Sequence, residues 1–130
     1  VQGWIGMNDV EGLEVRDGNL IVKATGGDPY IGSPALLADA SKYSGVTFRA
    51  KATLPGGQVF FAAKGGFSAT RSKSFNLPAD GQFHEVTVDL SDNPEWTGMI
   101  TQLRLDCAAA PCELQIDWVR LVKREAKPTQ

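Results

Sequence analysis

The stretch Gly45-Val46-Thr47-Phe48-Arg49-Ala50-Lys51-Ala52-Thr53 alternates strictly in character. Val46, Phe48, Ala50 and Ala52 fall on one face; Thr47, Arg49, Lys51 and Thr53 fall on the other. Successive side chains of an extended chain point to opposite sides, so this pattern is a strand with one buried and one wet face. Pro55-Gly56-Gly57 ends it. Residues 58–64 then alternate again, Val59, Phe61 and Ala63 against Phe60, Ala62 and Lys64. Residues 83–90 set Val86, Val88 and Leu90 on one side. Residues 100–106 set Leu103 and Leu105 inward and Gln102, Arg104 and Asp106 outward.

The same reading extends to both ends. Residues 13–16 and 20–24 flank Asp17-Gly18, a hairpin signal because both residue types tolerate positive φ. Residues 30–37 contain Pro34 and read as an edge or switching segment. Residues 72–77 form a shorter strand, and 113–122 close the fold. About nine strands with no helical period predict an all-β chain, a two-sheet antiparallel β-sandwich of jelly-roll type. The 130 residues are one domain's worth: 1–122 as the sandwich, 123–130 as a charged tail or linker.

Composition removes several functions. Apolar residues make up 42% and charged residues 22%, as in an ordinary globular chain. A net charge of -2 argues against a nucleic-acid partner. No apolar run approaches the roughly 20 residues of a membrane span. His84 is the single histidine, so a multi-histidine metal site is excluded. No Gly-x-Ser-x-Gly elbow exists, and the doublets Gly26-Gly27 and Gly65-Gly66 lack phosphate-loop spacing and read as plain turns. Asp89 with Asp92, and Asp106 with Asp117, are the available carboxylate pairs for glycoside hydrolysis. Asp89-Leu90-Ser91-Asp92-Asn93-Pro94 reads better as a strand entering an Asx turn. The chain is read as noncatalytic.

Cys107 and Cys112 bracket Ala-Ala-Ala-Pro. Their spacing fits neither a redox Cys-x-x-Cys motif nor a zinc site. Two readings stay open: a disulfide closing a short loop, or two thiols at the ends of a hairpin. A disulfide would place the chain outside the reducing cytosol.

What remains is a binding surface. Flat aromatic rings pack on the apolar face of a pyranose while polar groups bond its hydroxyls. Trp118 is in phase with Ile116 and reads as core; Trp4 reads as a cover for one end of the sandwich. Trp96, in a turn-rich loop, either plugs the sandwich or faces ligand. Tyr30 lies at a loop edge, and Tyr43 reads as a packing anchor. If residues 58–64 and 100–106 are neighbouring strands, Phe60, Lys64, Arg104 and Asp106 share one open face, with Arg71 in a loop nearby. Tyr30, Phe60, Lys64, Arg71, Trp96, Arg104 and Asp106 are therefore the candidate ligand-binding residues. The alternative for this face is a solvated sheet with Arg104–Asp106 ion pairing. The basic residues lean the expected ligand toward an anionic polysaccharide.

Four stretches carry a resemblance: residues 26–34, 81–90, 93–106 and 116–121. Together they resemble the carbohydrate-binding-module-like jelly-roll domains appended to bacterial glycoside hydrolases and sulfatases, over most of the chain. The resemblance implies a noncatalytic module, extracellular or periplasmic, that attaches a neighbouring catalytic domain to a polysaccharide. It also implies a structural calcium, with Asp117 as the last-strand ligand and Glu11 and Asp28 as weaker candidates. The acidic ligand usual before the first tryptophan has no counterpart in Val1-Gln2-Gly3-Trp4. The competing reading is a structural module that only packs against a neighbouring catalytic domain.

Overall fold

The computed structural model describes residues 5–8, 10–16, 18–24, 30–107 and 112–124. Trp4, Asp17, Asp28 and the Gly26-Gly27 doublet lie outside the described residues, as does the side chain of Glu11.

The alternating stretches form the strands that their period predicts. In chain order these are β1 (Ile5–Asn8), β2 (Val10–Arg16), β3 (Asn19–Ala24), β4 (Tyr30–Gly32), β5 (Ala38–Asp39) and β6 (Tyr43–Ala52). They continue with β7 (Gly57–Ala62), β8 (Ser72–Phe75), β9 (His84–Asp89), β10 (Met99–Ile100), β11 (Gln102–Cys107) and β12 (Cys112–Lys123). One five-stranded sheet runs β1-β4-β11-β7-β8 and the other β2-β3-β12-β6-β9; β5 and β10 pair at one end. Every pairing is antiparallel. The expected all-β sandwich is present, and the β2–β3 hairpin turns at Gly18 with φ of 81°.

The inward residues of both sheets make one core. Phe48, Phe61, Ile31, Leu77, Leu90, Ile100 and Ile116 are fully buried there. Phe48 meets Phe75 edge-on at 5.0 Å between centroids. Phe61 meets Trp96 at the same distance with the rings perpendicular. Edge-to-face pairing places the positive ring edge on the negative face and adds to area burial.

Two tryptophan expectations are corrected or decided here. Trp118 leaves the inward phase because the β12–β6 register slips between Ile116 and Trp118. A bulge inserts one residue and reverses the facing of everything after it. Val119 and Leu121 therefore pack on the core, while Arg120 lies over the Trp118 ring at 4.2 Å. Trp96 is the plug: it is 3% exposed, and its indole N–H donates to the Tyr43 carbonyl at 2.9 Å.

β12 continues through Lys123, and Arg124 donates its backbone N–H to Lys42 and its side chain to Ala40. Cys107 ends a strand of one sheet and Cys112 begins a strand of the other. Both are free thiols. The neighbouring Cys107 thiol, with help from Thr53, holds Cys112 below its ordinary range, while Cys112 and burial push Cys107 up.

Gly45 marks the tightest strand contact. A Cβ there would sit 2.0 Å from the Val88 carbonyl oxygen. Gly45→Ala is expected to lower stability by ~3 kcal/mol, the upper end of overpacking costs, read by urea denaturation. An unchanged midpoint would refute the close approach of β6 and β9.

Candidate functional site: an arginine held between aromatic rings

β11 lies between β4 and β7, so three strands present one open face. Arg104 stands opposite Phe60, and Asp106 opposite both Tyr30 and Gln58. The expected sharing of one face by Phe60, Arg104 and Asp106 is therefore realised, with Tyr30 beside them. The Arg104 guanidinium carbon lies 3.5 Å from the Tyr30 ring centroid and 4.2 Å from that of Phe60. A guanidinium is planar and weakly hydrated, which suits it to this stacking.

Asp106, two residues along the same strand, fixes the arrangement. Arg104 donates from Nε to Oδ1 and from Nη2 to Oδ2, each at 2.8 Å. The Asp106 residue is only 4% exposed, and the Arg104 side chain 15%. A buried carboxylate is tolerated only when paired and hydrogen-bonded, and the two-pronged arginine fork supplies both.

A third ring was missed by the sequence reading. Ala63 and Gly66 bridge across a tight turn, with Gly66 N–H on the Ala63 carbonyl at 2.9 Å. Gly65 and Gly66 take φ of 93° and 84°, where a side chain is strained. The turn brings Phe67 within 5.9 Å of the Arg104 guanidinium. The doublet was read as a plain turn; the signal was the aromatic residue directly behind it.

Next to this face a cleft of about 580 Å³ opens, lined by Lys64, Arg71, Glu95, Thr97, Met99 and Thr101 among others. Lys64 lies in the turn just past β7, and Arg71 just before β8. Arg71 donates to Glu95 Oε1 at 3.2 Å and to the Gly66 carbonyl at 2.6 Å. The Thr70 hydroxyl donates to the other Glu95 oxygen, and the Asn93 amide to the Thr70 carbonyl at 2.9 Å. Two loops are thereby locked into one wall. The Thr70 bond, and secondly Arg71, hold the Glu95 carboxyl below its ordinary range. Among the described residues no carboxylate pairs with Lys64.

Trp96 does not join the surface. Its ring is committed to Phe61 and its N–H to Tyr43, so it supports the cleft from inside.

The remaining polar groups are engaged elsewhere. Asp117 pairs with Arg49 at 2.9 Å on the other sheet. Calcium takes about six to eight oxygen ligands. No group of three acidic, histidine or cysteine residues suited to a metal occurs among the described residues. The other candidate calcium ligands, the Glu11 side chain and Asp28, lie outside the described residues. Asp89 is bound by Ser91, and Asp92 by Lys73. Asp106 and Asp117 belong to opposite sheets, so they do not form a pair. His84 meets Asp80 at 2.9 Å in an exposed contact.

No protein family matches the chain, and no curated protein does. Solved structures of the same fold do. A low-affinity xylan-binding module, CBM86, from Roseburia intestinalis superposes with a TM-score of 0.62 at 12% identity, over 95% of this chain and 96% of that one. A CBM4 structure gives 0.63 at 18% identity, over 92% and 78%. CsCBM6-3 from Clostridium stercorarium, in complex with cellobiose, gives 0.57 at 12%, over 95% and 88%. At these identities the likeness establishes a jelly-roll sandwich shared with carbohydrate-binding modules.

The Glu95 lock has a pH signature. A carboxyl held below its unfolded value stabilises fully above that value, here 4.5, and the gain is lost as pH falls through the lowered one. Glu95→Gln should therefore lower the melting temperature at pH 7. At pH 3 the gap to the wild type should narrow sharply. A gap independent of pH would sink this account.

Proposed function

We propose that this domain is a noncatalytic carbohydrate-binding module that holds a polysaccharide on the face built by Tyr30, Phe60, Phe67 and Arg104. The observation that carries the reading is the stack of Arg104 between Tyr30 and Phe60. It gives a pre-formed strip of half-buried rings with polar groups at its edge. Pyranose rings need that combination: apolar C–H faces on the rings, hydroxyls on the polar atoms. The shared fold with carbohydrate-binding modules supports the same reading. The adjoining cleft, with Lys64, Arg71, Thr97 and Thr101, extends the strip. In its parent protein the domain serves to keep a neighbouring catalytic domain, outside the cytosol, on its polymer.

The competing role, packing against a neighbouring domain, calls for a broad apolar patch. Among the described residues the exposed large hydrophobics are Val15, Leu37 and Met99. Val15 lies on the edge strand of the other sheet, so the three do not form one face.

A shallow face whose contacts only modestly exceed the cost of association binds weakly, with Kd from about micromolar to millimolar. Affinity electrophoresis against neutral plant and algal polysaccharides should retard the wild type on at least one polymer. Phe60→Ala should weaken that binding about tenfold, ~1.4 kcal/mol, with circular dichroism checking that the variant stays folded. Equal retardation of Phe60→Ala and wild type would remove the sheet face from the site.

A further inference from the structure

We propose that Asp106 is the residue that sets the charge selectivity of the platform. By cancelling the Arg104 guanidinium inside the aromatic stack, it makes the face select uncharged saccharides. The inference rests on the sugar-binding reading of that face.

Three observations carry it. Both carboxylate oxygens of Asp106 accept from one guanidinium at 2.8 Å, the strongest geometry for charge cancellation. The pair is nearly enclosed, at 15% and 5% side-chain exposure, so solvent screens it little. Two ring faces, those of Tyr30 and Phe60, are already spent on the cation. Arg104 is thus the centre of the platform without being a net positive charge on it.

Of the other basic residues that lean the sequence reading toward an anionic polymer, Arg71 is paired with Glu95. Lys64, exposed in the turn beyond β7, lines the adjoining cleft and lies outside the stack itself. The central cation of the face is therefore the one whose charge its partner on the same strand cancels.

Asp106 acts through Arg104 and is a positioning residue, so its role predicts a gain as well as a loss. Asp106→Asn keeps an oxygen for the guanidinium but removes the negative charge. The stack then carries an uncompensated cation. Arg104→Met combined with Asp106→Asn removes both charges and keeps an apolar stem between the rings.

The test uses the domain with polygalacturonate and with the same polymer after carboxyl reduction, plus retention on heparin-agarose. Melting temperatures and circular dichroism serve as controls. Wild type is expected to show no salt-dependent preference for the acidic polymer. Asp106→Asn should bind polygalacturonate at least tenfold more tightly than wild type in 20 mM salt. It should elute later from heparin, and both gains should vanish in 500 mM salt. The double variant should return to wild-type charge behaviour. A folded Asp106→Asn that matches wild type on all three probes overturns the proposal.

If Asp106→Asn fails to fold, the double variant decides. An acidic-to-neutral ratio within twofold of wild type supports cancellation, and a tenfold fall in that ratio shows that Arg104 was a net cation. Should wild type bind neither polymer, the sugar-binding reading loses support on these polymers. The heparin comparison still reports the charge of the stack.

Discussion

A carboxylate at 4% exposure calls for a cation beside it, and Asp106 holds the Arg104 guanidinium by both oxygens to meet that need. The rest of the face is arranged around this one pairing. The guanidinium so held meets the rings of both neighbouring strands, Tyr30 on β4 and Phe60 on β7. The antiparallel register that sets Arg104 opposite Phe60 and Asp106 opposite Tyr30 is what lets a pair on one strand organise three.

Much of this was legible in the sequence, because a strand with one buried face writes its own period. The inward set Val46, Phe48 and Ala50 is buried as that period requires, as are Val59 with Phe61 and Leu103 with Leu105. The outward set Phe60, Arg104 and Asp106 follows from the same count. Alternation fails where the backbone departs from it. Trp118 reads as core by phase, yet a single extra residue after Ile116 turns it outward, and no residue type at that point announces a bulge. Trp96 sits among turn residues, where period carries no information. Its place was decided by a partner far away in sequence, Phe61, and by the Tyr43 carbonyl. Phe67 was hidden for a third reason: a turn of two positive-φ glycines folds it back onto a face it does not belong to by strand phase.

The polar side chains show how partners change the meaning of a composition. Arg49, Arg71, Lys73 and Arg104 look like a basic surface in one dimension. In three dimensions each has an acidic partner: Asp117, Glu95, Asp92 and Asp106. The pairs differ in what they do. Lys73 with Asp92 is an exposed contact of the kind that contributes little to stability. Arg71 with Glu95 ties two loops into a wall, and Arg104 with Asp106 shapes the platform. Cross-strand and cross-loop pairings of this type cannot be read from residue counts, because they depend on strand order.

The openness of the platform has a consequence in time. Among the described residues no lid covers this face, and its wall is tied by ion pair and hydrogen bonds, so association runs at an ordinary rate of about 10⁶ M⁻¹s⁻¹. With a Kd near 100 μM the bound state then lasts roughly 10 ms. That is shorter than the ~100 ms that a typical enzyme turnover takes. A catalytic domain tethered to such a module would be released and recaptured several times within each cycle, so it would explore a polymer and not stay moored at one point.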